Sequence, residues 1–164
     1  TDFLETPARA EPRGTLVLAH GAGAPMDSAF MNRIAEDLAD VGLAVLRFEF
    51  PYMAGRRTGG PKRPPPRAEA LIESFAAPSG KPEATRLGPI EDAGRPLLIC
   101  QGERDSFGNR AEVEGYPLPA HAELLWLADG SHDLAPRGKA AATWAGNLRQ
   151  AAAAVAAFAD RLAG

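Results

Sequence analysis

Three groups of residues along this chain could do chemistry together if the fold brings them to one place. The first is a glycine-rich turn, His20-Gly21-Ala22-Gly23-Ala24, and backbone N–H groups in such a turn can stabilise a developing negative charge. The second is Asp105 and the third is His132, an acid and a base in that chain order. A carboxylate that orients an imidazole is a device of nucleophilic hydrolysis. Each group follows a predicted strand, so a site would form where the strand ends meet.

The elements that would position these groups follow from apolar runs and helical periodicity. Strands are predicted at Thr15–Ala19, Leu43–Phe50, Pro96–Cys100 and Glu123–Leu127. Helices are predicted after a cap at Asp27 or Ser28 and up to Gly42, over Ala68–Ala77, near Asn109–Gly115 and over Lys139–Leu162. The first three elements form a βαβ unit, which predicts parallel strands and a right-handed crossover. The expected fold class is therefore α/β.

A basic, proline-rich stretch interrupts this pattern between Pro51 and Pro66, and it is predicted to be a loop. Its arginines, Arg56 and Arg57 first among them, could contact an anionic substrate. A solvated loop is the favoured interpretation of the same residues. The stretch from Pro78 to Gly94 is also predicted to be irregular.

Composition bounds the class of protein. The chain has 164 residues, is 45% hydrophobic and 24% charged, and is long enough for one domain with a buried core. A net charge of −3 gives no reason to expect nucleic acid as a partner. No segment has the length and apolarity of a membrane span. Cys100 is the only cysteine, which excludes an internal disulfide and a cysteine zinc site, and a cytoplasmic location fits best.

The segments around the three groups resemble a known family. LVLAHGAGAPMDSAFM is similar to the oxyanion segment of an α/β-hydrolase, and LLICQGERD and LLWLADGSHDL are similar to its acid and histidine segments. The likeness is to the small dienelactone-hydrolase-like branch, and it covers nearly all of the chain. It implies a single three-layer α/β/α domain over residues 1–164 with a mostly parallel sheet.

The resemblance implies a role for each group. His132 would be the general base, Asp105 would orient it, and the backbone N–H groups of Ala22 and Gly23 would form the oxyanion hole. No metal or organic cofactor would be needed. Plain interpretations remain open: the turn could be only a turn, Asp105 a cap and His132 a structural histidine. A phosphate loop is set aside because the Lys-Ser/Thr of a P-loop is absent. Cys100 lies inside a strand and is expected to be a core residue.

One part of the family pattern is missing. The nucleophile of such enzymes stands in a strand, a sharp G-x-S-x-G turn and a helix, and no serine of this sequence has that setting. After the helix predicted at Ala68–Ala77 the chain passes at once to Pro78-Ser79-Gly80. A strand–helix–strand unit of at least ~30 residues is therefore absent near positions 77–78.

Two explanations compete for this gap. Either a segment of the protein lies outside these 164 residues, which we favour because both flanking parts look intact, or the chain is a natural deletion. A deletion would place the third predicted strand beside the first, in a four-stranded sheet. The expected function is a serine hydrolase of an ester, lactone or thioester of a small molecule. The alternative is a non-catalytic hydrolase-like scaffold or binding module. A third, weaker hypothesis is a phosphate-ligand binder.

Overall fold

A computed structural model describes residues 3–21, 23–57, 59–60 and 94–164, with only the backbone for Pro51 and Arg57. The strands are β1 (Phe3–Thr6), β2 (Gly14–Ala19), β3 (Leu43–Phe48), β4 (Leu97–Gly102) and β5 (Ala122–Leu127). The helices are α1 (Ala29–Asp40), α2 (Pro51–Arg57), α3 (Arg110–Val113) and α4 (Trp144–Ala163). No helix in these ranges is long and apolar enough to cross a membrane.

The strands form two separate pieces of sheet. In the first, β2 runs parallel to β3, and β1 pairs antiparallel with the other side of β3. In the second, β4 and β5 run parallel. Within the described part of the chain no hydrogen-bonded pairing joins β2 to β4. The four-stranded sheet expected of a natural deletion is therefore not formed by these strands.

Two helices join the pieces into one core. The long helices α1 and α4 pack against each other, α1 also packs on β3, and α4 also packs on β5 and β4. Their buried residues share one apolar cluster with β3 and β5, in which Leu38, Val45, Leu127 and Leu148 are the largest side chains removed almost wholly from water. Small residues on α4, namely Ala151, Ala152 and Ala156, let the helix approach closely, as its alanine richness indicates.

Ser28 caps α1 as predicted, since its side chain accepts a hydrogen bond from the Met31 N–H. The structure corrects three other boundaries and adds one strand. The loop expected from Pro51 begins with a helix, because Phe50 O accepts the first helical hydrogen bonds and proline suits the first helical position. The last helix begins at Trp144 and not at Lys139, because Thr143 caps it. Strand β3 ends at Phe48, two residues before its predicted end, and β1 was not predicted. The helix expected at 68–77, the junction near 77–78 and the stretch 78–93 lie outside the described residues.

Candidate active site

The predicted acid and base lie in hydrogen-bond contact. His132 Nδ1 lies 2.9 Å from Asp105 Oδ2, across 27 residues of sequence. The Asp105 side chain is 8% exposed and that of His132 is 63% exposed. A buried carboxylate thus holds one nitrogen of the imidazole, while the ring itself faces solvent. This is the geometry in which a carboxylate fixes the orientation of a histidine and stabilises its charged form.

Strand β4 and the turn after it position the acid. Asp105 follows the end of β4 by three residues, and its Oδ1 accepts a hydrogen bond of 2.8 Å from the Phe107 N–H. Gln101 Nε2 donates to Asp105 Oδ2 at 3.1 Å and to Gly108 O at 2.8 Å. Both carboxylate oxygens are therefore hydrogen-bonded, which keeps the acid in place. Gln101 and Phe107 were not predicted as site residues.

Strand β5 and the loop from Ala128 to Ala135 position the base. The Phe107 ring packs edge-on against the His132 ring, with centroids 4.8 Å apart, and is itself 69% exposed. Asp129 accepts hydrogen bonds from the Arg137 side chain and backbone and pairs with Arg104. These contacts lower the pKa of the Asp129 carboxyl to about 2. The loop is thus fastened on its outer side by charge.

The acid and histidine loops meet at a glycine. A Cβ on Gly102 would lie only 2.5 Å from Gly130 O and even nearer to Ser131 O. Only a residue without a side chain allows this approach of the two loops, so Gly102 is required for Asp105 and His132 to meet. Gly102 is the last residue of β4, which ends two residues after its predicted end at Cys100, and its packing could not be read from the sequence.

The glycine-rich turn follows β2, as predicted. Gly23 is exposed in it, and its N–H makes no hydrogen bond within the described part of the chain. Ala22, the first candidate for the oxyanion hole, lies outside the described residues. Both assignments therefore stay predictions.

Both ends of this turn are tied to β3 and the residues after it. His20 is buried, its Nε2 accepts a hydrogen bond from the Phe50 N–H at 3.1 Å, and its Nδ1 lies 2.7 Å from Gly21 O. Since Phe50 N–H can only donate, Nε2 is unprotonated and Nδ1–H donates to Gly21 O. His20 therefore organises the loop.

At the other end, the backbone of Met26 is bracketed by two buried charged residues of the β3 segment. Glu49 Oε1 accepts from the Met26 N–H at 3.2 Å, and Arg47 Nη1 donates to Met26 O at 3.0 Å. Neither was singled out from the sequence, although two charged residues two positions apart, one at the end of an apolar strand and one just after it, are a signal that could have found them.

The basic residues considered for substrate contact lie on α2. The Arg56 guanidinium is 5.9 Å from the centre of the Tyr52 ring, and that ring packs edge-on against His20 at 5.7 Å. Burial raises the pKa of the Tyr52 phenol, and the charge of Arg56 opposes this rise. Arg56 is thus linked through Tyr52 to the glycine-rich turn. The Arg57 side chain is outside the described part of the structure.

Other nucleophile candidates have structural roles or lie apart from the base. Ser28 caps α1, and Ser131 Oγ accepts a hydrogen bond from the Ala135 N–H. Of the three serines in the described ranges, none hydrogen-bonds to His132. Burial raises the pKa of the Cys100 thiol, which reduces its thiolate fraction. Cys100 packs against the core, as expected.

Two stretches of the chain, residues 12–77 and 75–160, match the family model described as an alpha/beta hydrolase domain. The chain belongs to the α/β-hydrolase family. This confirms the fold class expected from the sequence. The two stretches of this α/β-hydrolase meet at residues 75–77.

Solved structures show the same fold. The esterase domain of a Rhodothermus marinus protein is 13% identical, with a TM-score of 0.55 and coverage of 98% of this chain and 99% of that one. An alpha-beta serine hydrolase homologue from Coxiella burnetii is 14% identical, with a TM-score of 0.52 and coverage of 99% and 91%. A comparison with curated proteins finds no match. Family and neighbours together favour a hydrolase.

Proposed function

We propose that this α/β-hydrolase is a serine hydrolase that cleaves an ester, lactone or thioester of a small molecule. The observation that carries the proposal is the 2.9 Å contact between the buried Asp105 carboxylate and the exposed His132 imidazole. Asp105 holds Nδ1, so Nε2 is free to take a proton from a serine hydroxyl and return it to the leaving group. Backbone N–H groups of Ala22 and Gly23 would stabilise the oxyanion.

The nucleophile is proposed to lie in a segment that belongs between positions 77 and 78 and is not among these 164 residues. Two findings support this. The family match breaks at residues 75–77, and β2 and β4 belong to separate pieces of sheet in the described part of the chain. A strand–helix–strand unit placed between β2 and β4 would complete a continuous parallel sheet and put a serine at its carboxyl edge.

The finer assignments belong to the same proposal. A dienelactone-hydrolase-like substrate and a small-molecule partner follow from the likeness of the three sequence segments. A cytoplasmic location is supported by the single cysteine. Contact of Arg56 or Arg57 with an anionic part of the substrate stays a prediction.

The first experiment is the intact mass of the purified protein, with and without a fluorophosphonate probe that labels activated serines. A mass well above 17.3 kDa together with one labelled serine in the added segment is the expected result. His132→Ala should abolish labelling, while His121→Ala, a change of the same type just before β5, should not. Labelling that survives His132→Ala would remove His132 from the mechanism.

A non-catalytic scaffold is the second candidate, and one observation favours it: no serine in the described ranges reaches His132. A measured mass of 17.3 kDa with no probe labelling and no ester hydrolysis would establish that candidate over the hydrolase.

A further inference from the structure

Helix α4 sends two polar side chains onto the loop that carries His132. Asn147 is only 3% exposed, although it lies on the helix face that packs into the core. Its Nδ2 donates to Ala128 O at 3.0 Å and to Leu134 O at 2.9 Å. Trp144 Nε1 donates to Asp133 O at 2.8 Å. Three carbonyls that flank His132 are therefore held by the first two turns of one helix.

The backbone of this loop is left-handed near both ends, and it is strained at Leu134. Asp129 has φ 50° and Leu134 has φ 60°, in the left-handed region that side chains other than Asn, Asp and Gly rarely adopt. Such conformations persist only where the surroundings enforce them, and they concentrate at functional sites. Asn147 binds the carbonyl of Leu134 itself and that of Ala128, the residue before Asp129. The Leu134 side chain is also buried in the core, which fixes that end further.

Few other contacts could hold His132. Its side chain is 63% exposed, and within the described residues its partners are the Asp105 carboxylate and the edge of Phe107. The backbone conformation of the loop therefore decides whether the imidazole reaches Asp105. Asn147 ties the two ends of that backbone to each other from the core side, beside the loop's own hydrogen bond from the Ser131 N–H to Ala135 O.

We propose that Asn147 is a positioning residue for His132. Its single amide group bridges Ala128 O and Leu134 O, keeps the strained loop closed and so places Nδ1 against Asp105. The catalytic consequence rests on the proposed function, whereas the placement of the ring does not. Without the amide, the buried Leu134 carbonyl and the part-buried Ala128 carbonyl would lose this donor, and the loop could relax toward unstrained backbone angles.

A merely structural role predicts a different result. Replacing Asn147 would then lower the stability of the fold, as replacing any core residue does, and the His132–Asp105 contact would be lost only when the whole protein unfolds. The neighbouring Leu148 is fully buried and makes no hydrogen bond to the loop. Leu148→Ala therefore serves as a matched control, because it removes core packing from the same helix turn and leaves the loop donors in place.

The test is the Nδ1–H proton of His132 followed by NMR on this chain, which needs no substrate and no serine. Asn147→Leu, which keeps size and helix compatibility, should broaden or remove the signal, or speed its exchange with solvent by about tenfold or more. Leu148→Ala should leave it in place. An unchanged signal in a folded Asn147→Leu protein would overturn the proposal, as would equal loss in both variants.

If Asn147→Leu does not fold, Trp144→Phe tests the same positioning of His132 by a smaller change. It removes the hydrogen bond to Asp133 O and keeps an aromatic ring at this position. A smaller but measurable acceleration of exchange is expected, and none would count against the proposal. In a chain that contains the nucleophile, Asn147→Leu should lower kcat by about 10²-fold with little change in KM. A change in the NMR signal without any hydrolase activity would uphold the positioning role and reject the proposed function.

Discussion

The two halves of the molecule hold their parts of the site in different ways. In the acid–histidine half, residues 94–164, side chains bond directly to side chains: Gln101 to Asp105, and Asp105 to His132. In the glycine-turn half, residues 3–57, the ends of the turn are tied at His20 and Met26, and the glycines between them are exposed. The first half contains a completed side-chain interaction, whereas in the second the exposed N–H of Gly23 makes no hydrogen bond within the described residues.

The strands show the same contrast. Strands β2 and β3 have similar apolar sequences and pair in parallel, but Val45 of β3 is fully buried while Val17 of β2 is 59% exposed. Inner strands of parallel sheets are apolar because both their faces are covered. Among the described strands, β2 therefore has the sequence of an inner strand but lies at the edge of its sheet. This difference supports a segment that belongs beside β2.

The largest expected effect is on catalysis, when the contact between Asp105 and His132 is changed. In a chain that contains the nucleophile, Asp105→Asn should lower kcat by about 10⁴-fold, because an amide next to Nδ1 favours the wrong tautomer of His132. Asp133→Asn, a change of the same type at the exposed neighbour of His132, should leave kcat near the original value. Steady-state ester hydrolysis measures both. A loss of less than about tenfold for Asp105→Asn would show that the contact is only structural.

A second comparison uses one glycine from each half. Gly102→Ala should destabilise the fold by about 1–3 kcal/mol or more, because its Cβ would overlap the Gly130 and Ser131 carbonyls. Gly21→Ala should change stability by less than about 0.5 kcal/mol, since nothing lies within 4 Å of the added atom. Urea unfolding with an unchanged m-value gives both numbers. Equal costs would contradict the difference in packing between the halves.

Local patterns were sufficient to predict much of the fold. The apolar runs of β2, β4 and β5 and the helical period of α1 identified the elements, and strand-end placement selected Asp105 and His132. The predicted helix boundaries were wrong where a single residue decides them. Examples are Thr143, whose side chain caps α4, and Pro51, which begins α2. Short β1 has little apolar periodicity and exists because β3 offers it a pairing edge.

The seam of α4 shows what periodicity cannot supply. Apolar residues at spacings of 4, 3, 4, 3 and 4 from Trp144 to Leu162 predict one apolar seam on this helix. The seam correctly includes Leu148 and Ala151, but Leu162 at its end is 56% exposed, and Ala152 and Ala156 outside it are buried. The contact with α1 favours small residues, which a hydrophobicity pattern passes over. Asn147 was missed for the opposite reason: a polar residue on an apolar face has meaning only once its two carbonyl partners are known.

The difference between β2 and β3 can be measured with one substitution made in each. Val45→Ala should cost about 2 kcal/mol, from two lost methylene equivalents and a small cavity, and Val17→Ala should cost less than about 0.5 kcal/mol in these 164 residues. In a protein with the proposed extra segment, the cost of Val17→Ala should rise toward that of Val45→Ala, because a new strand and its helix would cover β2. A cost that stays near zero in the longer protein would argue against that placement.

The smallest expected effect is on stability, and it concerns the ion pairs of Asp129 with Arg137 and Arg104 on the outer side of the histidine loop. Hydrogen bonds from Arg137, together with the charge of Arg104, lower the Asp129 pKa to about 2 from its ordinary 3.8. A depressed carboxyl pKa contributes stability that is fully present above the ordinary value and is lost as the pH falls through about 2. Asp129→Asn isolates the charge, because asparagine also tolerates the positive φ of this position.

The difference in Tm between the original protein and Asp129→Asn should therefore be constant near neutral pH, shrink as the pH falls below 4, and vanish near 2. It should also shrink at high salt, since the Arg137 side chain is 70% exposed and its charge is screened. Thermal unfolding across this pH range at two salt concentrations measures both dependences. A difference in Tm that persists unchanged at pH 2 would show that the hydrogen-bond geometry of residue 129, and not its charge, holds the outer side of the loop. Asn147 and Trp144 hold the inner side of the same loop without any ionisable group. Their contribution to stability should therefore not change over this pH range.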